Sequence, residues 1–110
     1  MKITMNIKPL SVNNAWMGRR FKTPEYKAYE QELLYKLPIL EVPKSPYKIS
    51  YEFGFSNKQS DIDNCVKQLQ DILQKKYGFN DNEIYELHIK KCIVKKGKEY
   101  FKVEMDNLQY

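Results

Sequence analysis

The chain has 110 residues, the length of one compact domain, and we predict a single domain over residues 1–110. Its formal net charge of +5 favours a polyanionic partner or an anionic surface. No apolar run approaches the ~20 residues that a bilayer span needs, and the N-terminus lacks the apolar core of a signal peptide, so we expect a cytoplasmic protein with no membrane partner.

The N-terminal part is predicted to be a strand followed by an irregular loop. Residues 2–8 alternate apolar and polar side chains, as in a half-buried strand, and Pro9 ends the alternation. Residues 10–22 have no clear period and place basic side chains beside aromatic ones. Such a loop either binds phosphate and stacks on bases, or is a solvated loop that Trp16 pins to the core.

Two helices flank one strand in the middle of the chain. Residues 23–37 begin with Thr-Pro-Glu, a helix-start signal, and continue with an apolar stripe at helical spacing. Residues 47–55 alternate strictly, which predicts a half-buried strand. A second amphipathic helix is predicted over residues 61–76, with Asp61 at its cap or in its first turn and Gly78 at its end. Its apolar face is spaced by three and four residues: Ile62, Cys65, Val66, Leu69, Ile72 and Leu73.

The C-terminal part is predicted to be two strands. Residues 84–94 form a long strand whose alternation breaks, either through a bulge near Lys90-Lys91 or through burial of both faces. Residues 95–98 are typical of a hairpin turn, so the last strand, over residues 100–105, is expected to pair back. The order β-α-β-α-β-β predicts an α/β (α+β) domain in which two helices cover a small mixed sheet of about four strands. The two cysteines lack zinc-ligand spacing and are expected to be reduced.

Three aspartates and a lysine form the candidate catalytic group. Asp61 and Asp63 are separated by one residue, Lys67 follows one helical turn later, and Asp81 lies in the turn before the long strand. Carboxylates are the ligands that Mg²⁺ prefers, with Mn²⁺ as an alternative ion, and a bound ion activates water for attack on a phosphodiester. Lys67 can hold a phosphate oxygen or stabilise the leaving oxyanion. Ordinary interpretations are a cap for Asp61, an ion pair with Lys67 for Asp63, and a turn for Asp81.

A family resemblance favours the catalytic interpretation. Residues 60–71 read Ser-Asp-Ile-Asp-Asn-Cys-Val-Lys-Gln-Leu-Gln-Asp, and residues 80–84 read Asn-Asp-Asn-Glu-Ile. This pattern resembles the D-x-D-N-x-x-K-x-x-x-D and D-D-x-x-I/V motifs of the RusA family of Holliday junction resolvases. Residues 9–14, followed by Gly18-Arg19-Arg20, resemble the family's P-P-S-x-N loop and basic segment. The likeness extends over nearly the whole chain.

The resemblance implies a homodimeric, magnesium-dependent endonuclease of the bacterial cytoplasm, of a kind that phages and prophages often carry. Such enzymes cut four-way DNA junctions by paired symmetric nicks in recombination and repair. Asp61, Asp63 and Asp81 would be the metal-binding catalytic acids, and Lys67 would be the catalytic lysine. Asp71 also matches a family position and is either structural or part of the site.

The second motif departs from the family pattern. Asn80 stands where the family often has the first of two aspartates. Aligning Ile84 with the family's apolar position makes Asp81 the third acid, whereas an ungapped count from the first motif places Asn82 there. The third acid is therefore the least firmly aligned residue of the candidate group.

Basic residues complete the expected DNA interface. The candidate phosphate contacts are Arg19, Arg20, Lys22, Lys67 and Lys91. The other lysines after residue 89 either join this surface or form a solvated face: Lys90, Lys95, Lys96 and Lys98. His88 is expected to be a surface or strand-pairing residue. Two alternatives to an endonuclease remain, a non-catalytic DNA-binding module on the same fold and a small basic interaction protein whose acidic residues cap helices.

Overall fold

The centre of the molecule is a four-stranded mixed sheet, seen in a computed structural model that describes residues 1–18 and 21–109. The strands lie in the order β1 (Lys2–Met5), β6 (Tyr100–Asn107), β4 (Tyr47–Phe55) and β5 (Ile84–Ile93). β4 runs antiparallel to β6 and parallel to β5, and β6 runs antiparallel to β1. The predicted fold class, a small mixed sheet with helices, is confirmed.

The irregular region before residue 23 contains more structure than expected. It forms a short helix, α1 (Val12–Ala15), and a small antiparallel pair of strands, β2 (Trp16–Met17) and β3 (Phe21–Lys22). The ring of Trp16 packs edge-on against Tyr26 with the centroids 5.2 Å apart. The tryptophan therefore attaches this region to the core, as one of the two interpretations of the loop predicted.

Helix α2 (Pro24–Lys36) follows its predicted bounds closely because its start signal works as expected. The hydroxyl of Thr23 accepts a hydrogen bond from the Tyr26 N–H at 3.1 Å, and Pro24 occupies the first turn, where its missing N–H costs nothing. Helix α3 (Val66–Tyr77) ends as predicted at Gly78, whose φ of 76° suits glycine. A 3₁₀ helix (Asp81–Glu83) leads into β5.

One face of the sheet is buried under the helices, and the other is polar and exposed. Apolar residues alternate inward along β4 and β6, and α2 and α3 add their apolar faces to the same core. The inward side chains of β4 and β6 are Ile49, Tyr51, Phe53, Phe55, Phe101, Val103 and Met105. Charged residues occupy the alternate positions and face solvent, as in Lys102 and Glu104.

The predicted pairing of the last strand with β5 is wrong. β6 crosses to the far side of β4 and pairs with β4 and β1. The reason is burial: β6 alternates Phe101, Val103 and Met105 with polar residues and suits a central position, whereas β5 carries charges on both faces and suits an edge.

Both explanations for the broken alternation of β5 are also wrong. The register with β4 is regular from Glu86 to Ile93, and its one irregularity falls at Tyr85. Neither face is fully buried, since Leu87 remains 48% exposed on one face and the His88 side chain 56% exposed on the other. The alternation breaks because the strand lies at the edge of the sheet, where solvent reaches both faces.

The second helix does not begin at Asp61 as predicted. α3 begins at Val66, its N-cap is Cys65, and no side chain caps it. Residues 61–65 form turns in which the carbonyls of Asp61 and Asp63 accept the N–H groups of Asn64 and Val66. The carbonyl of Asn64 is instead bound by the N-terminal region, which holds these residues out of the helix.

Candidate metal and nucleic-acid site

The acidic loop, which we define as residues 60–65, joins β4 to α3 at the carboxyl end of β4. Asp61 and Asp63 are both exposed. Their carboxylates make no hydrogen bond or ion pair with any residue among 1–18 and 21–109. Neither aspartate caps the helix, so the ordinary interpretation of Asp61 as a cap is wrong. One short loop therefore carries two exposed carboxylates that are unpaired within the described part of the chain.

The N-terminal loop, residues 8–14, is hydrogen-bonded to the acidic loop. The Val12 N–H donates to the Asn64 carbonyl at 2.9 Å. The Gln68 side chain is fully buried, and its amide nitrogen donates both to the Asn64 carbonyl at 2.7 Å and to the Leu10 carbonyl. Two segments about fifty residues apart in sequence are thereby joined. The motif did not reveal Gln68, although a glutamine on an otherwise apolar helix face, four residues after Asn64, was a usable signal.

Lys91 attaches the acidic loop to the sheet. Its ammonium donates to the Lys58 carbonyl at 2.8 Å and to the Ser60 carbonyl, immediately before Asp61. The lysine was predicted to contact phosphate. Its described hydrogen bonds go to the protein backbone, and they position the loop that carries the acids.

A polar groove of about 590 Å³ lies beside the acidic loop. The N-terminal loop forms one wall and the segment after β4 forms the other, with Ser60 and Asn64 at the acidic side. The turn after β5 reaches the same end of the sheet, because the Val94 N–H donates to the Phe55 carbonyl and the Ser56 hydroxyl donates to Glu99. The charged residues that line the groove are Lys8, Glu25 and Glu99. Further lysines lie in the segments that follow β4 and β5: Lys58, Lys95, Lys96 and Lys98. The predicted site did not include Lys8 or Lys58.

Lys67 lies in the first turn of α3, close in sequence to the acidic loop. Its ammonium is 3.5 Å from a carboxylate oxygen of Asp71, one helical turn later, and its side chain is 70% exposed. The predicted ion pair between Asp63 and Lys67 is replaced by this one. An exposed pair at that distance is weak, so the Lys67 ammonium remains available to an anion.

Asp81 lies at the opposite end of α3. Its N–H donates to the Gln74 side-chain oxygen at 3.0 Å, whereas the backbone carbonyl of Asp63 accepts a hydrogen bond from the Val66 N–H. The eight residue steps from Val66 to Gln74 correspond to about 12 Å along the helix. The sheet gives the same result, since Asp81 precedes the start of β5 and the acidic loop follows the end of β4. The expected convergence of the three carboxylates therefore does not occur within one chain.

Across residues 1–18 and 21–109, no group of three acidic, cysteine or histidine side chains is arranged to hold a metal ion. The two carboxylates of the acidic loop remain a partial ligand set. That set suits Mg²⁺, which commonly takes one or two protein carboxylates and completes its shell with water and substrate phosphate.

The remaining predicted phosphate contacts divide into two groups. Lys22 is engaged within the protein, 2.8 Å from Glu30 and 4.9 Å from the centroid of the Tyr26 ring. Arg19 and Arg20 lie outside the described residues. Glu30 also binds Lys75 at 2.9 Å, and although partial burial raises the pKa of Glu30, the hydrogen bonds from both lysines hold it below its ordinary value.

Both cysteines are free, and burial raises the pKa of the Cys65 thiol to about 12. In the described part of the chain, no helix has the length and apolarity to cross a bilayer.

The comparisons with known proteins add no family: no family model matches the chain, and no curated protein matches it.

Proposed function

We propose that this protein is a magnesium-dependent endonuclease that cleaves branched DNA, of the kind that the RusA-like motifs imply. The observation that carries the proposal is the hydrogen-bonded contact between the N-terminal loop and the acidic loop through Val12, Asn64 and Gln68. The acidic loop carries the specific motif of the resemblance and the N-terminal loop supports it; the two are far apart in sequence and are hydrogen-bonded to each other in the folded chain.

The acidic loop suits a divalent ion. Asp61 and Asp63 are exposed and have no partner among the described residues, and neither serves as a helix cap. Unpaired carboxylates on a loop that Lys91 and Gln68 both hold in place are available to a cation without the loss of an existing ion pair. Lysines on the neighbouring segments favour the approach of a DNA backbone to the same end of the sheet.

The chain's own groups then have distinct tasks. Asp61 and Asp63 hold the ion, which when bound neutralises phosphate charge and lowers the pKa of a bound water. Lys67 is exposed beside them and neutralises charge on the leaving oxygen. Lys8 in the polar groove and the lysines of the neighbouring segments orient the phosphodiester by contacts with the DNA backbone, so preference for a branch point would come from the shape of the DNA and not from base sequence.

Asp81 can take part in this site only through a second copy of the chain. Within one chain it is anchored at the far end of α3, so no rotation of its side chain brings it to the acidic loop. The homodimer that the resemblance implies would let Asp81 of one subunit meet the acidic loop of the other. A four-way junction has approximate two-fold symmetry, and a symmetric dimer would place two such sites for paired nicks.

Cleavage of a synthetic four-way junction tests the proposal. Wild-type protein with Mg²⁺ or Mn²⁺ should nick the junction in preference to linear duplex of the same sequence, and Asp63→Asn should bind the junction without nicking it. Asp106→Asn is the matched control, because Asp106 is an exposed aspartate on β6, outside the acidic loop and the candidate catalytic group.

A non-catalytic DNA-binding module is the second candidate. It is favoured by the absence of a three-carboxylate group from the described part of a single chain. Salt-dependent junction binding with no nicking in either ion would establish this module and overturn the endonuclease.

A further inference from the structure

The outer edge of β5 is open. β5 has ten residues and pairs with β4 on one side, and no described strand pairs with its other side. Such an edge presents unpaired N–H and C=O groups, which proteins usually cover or protect. Leu87 and Ile93 are about half exposed on this strand. A long edge with exposed apolar side chains is a template for another strand.

We propose that β5 pairs antiparallel with β5 of a second copy, about a two-fold axis that passes between the two His88 residues. The result is a continuous eight-stranded sheet with the helices of both subunits on one face. The inference rests on the proposed function only in taking the partner to be a second copy of this chain.

Charge complementarity selects this register. In an antiparallel pair centred on His88, Glu86 lies opposite the partner's Lys90, and symmetry repeats the contact on the other side of the axis. Leu87 then lies opposite the partner's Ile89 on the other face of the sheet. The pairing from Glu86 to Lys90 lies within the part of β5 that has a regular register with β4, and no like charges are opposed there away from the axis.

Neighbouring registers are poorer. In an antiparallel pair related by a two-fold axis, each side chain stays on its own face of the sheet. The axis must therefore lie at a residue position, and neighbouring registers shift it by one residue. Centring on Glu86 or Lys90 opposes two like charges on the axis, and centring on Ile89 opposes His88 to Lys90. Centring on Leu87 pairs Glu86 with His88 but leaves Lys90 opposite Ile84. Only the His88 register forms both Glu86–Lys90 contacts.

The side chains that would form these contacts are accessible. Lys90 is 71% exposed and lies 3.7 Å from Glu52, and Glu86 is 43% exposed and lies 3.7 Å from His88. These are long, solvated contacts within the chain, so both groups can reach across the edge with little loss.

Charge reversal tests the interface directly by sedimentation velocity, without DNA or metal. Wild-type protein should form a concentration-dependent dimer. Lys90→Glu and Glu86→Lys should each weaken dimerisation by about tenfold or more, because both symmetry-related pairs become like charges. An equimolar mixture of the two variants should regain wild-type affinity as a heterodimer, since each contact then joins a glutamate to a lysine.

Lys102→Glu is the matched control. Lys90 and Lys102 flank the same Glu52, at 3.7 and 3.6 Å, but Lys102 lies on β6, inside the sheet. Lys102→Glu changes the net charge and the surroundings of Glu52 in the same way as Lys90→Glu, and it should leave the dimer affinity unchanged.

A disulfide provides a second measurement. In a Cys92→Ser background, His88→Cys would place two thiols opposite each other on the axis, where Cα atoms of facing strands are about 4.5–5.5 Å apart and suit a disulfide. Ser50→Cys, at the position paired with His88 on β4, should not cross-link.

The outcomes separate the two proposals. A wild-type protein that stays monomeric, or folded charge variants whose mixture fails to associate, would overturn the β5 interface whether or not junctions are cleaved. A β5-paired dimer that never nicks DNA would support the interface and overturn the endonuclease.

Discussion

The two ends of the sheet carry acidic residues in different chemical situations. At the carboxyl end of β4, the carboxylates of Asp61 and Asp63 have no partner among residues 1–18 and 21–109, and Gln68 and Lys91 hold their loop beside a groove that Lys8 lines. At the other end, the backbone of Asp81 is bound by Gln74, which is also 3.5 Å from Asp71. The Asp81 carboxylate likewise has no partner among the described residues. The difference is that two acids of the candidate group lie together beside a polar groove at one end, whereas the third lies alone at the other.

The β5 pairing would bring these ends together. In the register centred on His88, Tyr85 lies opposite the partner's Lys91, and Asp81 precedes Tyr85 by four residues. Lys91 holds the Ser60 carbonyl, next to Asp61. Asp81 of one subunit would then lie at the same end of the combined sheet as the acidic loop of the other. The distance that separates the acids within a chain is thus consistent with a shared site.

The largest expected effect comes from mixing two inactive variants. Asp63→Asn and Asp81→Asn should each lose activity on the order of a hundredfold or more, since a correctly held ion contributes several kcal/mol. If the site is shared, about half of the dimers in an equimolar mixture contain one subunit of each variant, and each such dimer has one intact site. The mixture should therefore contain about a quarter of the wild-type number of active sites. Nicking rates on a four-way junction measure this.

The same experiment can contradict the shared site in two ways. Full activity of Asp81→Asn would exclude that residue from catalysis. Inactive single variants whose mixture also stays inactive, although heterodimers form, would exclude an exchange of acids between subunits.

The next largest effect concerns the bridge between the two loops. Gln68→Ala should lower the free energy of unfolding by about 2–3 kcal/mol, because a buried side chain and two hydrogen bonds to carbonyls are lost. Gln74→Ala, at the Asp81 end, should cost about 1 kcal/mol or less because its hydrogen bonds are near the surface. Urea unfolding of both variants measures the difference. If both variants lost the same free energy of unfolding, the acidic loop would not be held more firmly than the backbone of Asp81.

Lys91 distinguishes a structural attachment from a phosphate contact. Lys91→Met should lower the free energy of unfolding by about 1–2 kcal/mol, since two charge-assisted hydrogen bonds to the acidic loop are lost. Lys95→Met, at an exposed position just after β5, should change it by less than about 0.5 kcal/mol. Unchanged stability with weaker salt-dependent DNA binding would instead return Lys91 to the role predicted from the sequence.

The smallest expected effect is a pH dependence away from both ends. The pKa of Glu30 is below its ordinary value in the folded protein, so its ion pairs stabilise the fold above the unfolded pKa of about 4.3, and this contribution is lost as the pH falls through the folded pKa. Glu30→Gln should therefore reduce the loss of stability between neutral pH and about pH 3. Glu32→Gln removes only an exposed pair with Lys36 and should leave that loss unchanged.

Local patterns predicted most of the helices and strands correctly. Strict alternation over residues 47–55 and the Thr-Pro-Glu helix start reflect forces that act within a few residues, and both elements have their predicted positions. The start of α3 was misplaced because Asn64 is held by Val12 and Gln68, which are contacts that no local pattern contains. The position of β6 was wrong for a similar reason, since a short polar turn can lead to a crossover as well as to a hairpin.

The amino-acid sequence alone determined the fold class, the approximate helices and strands, and the acids, lysines and motifs that suggest a nuclease. These follow from side-chain chemistry and from the periods of helix and strand. Only the tertiary structure decided that Asp61 and Asp63 lie on a different end of the molecule from Asp81, that Lys91 holds a loop, and that β5 is an open edge. Those properties depend on which strands become neighbours, and that choice is set by the burial of the whole core.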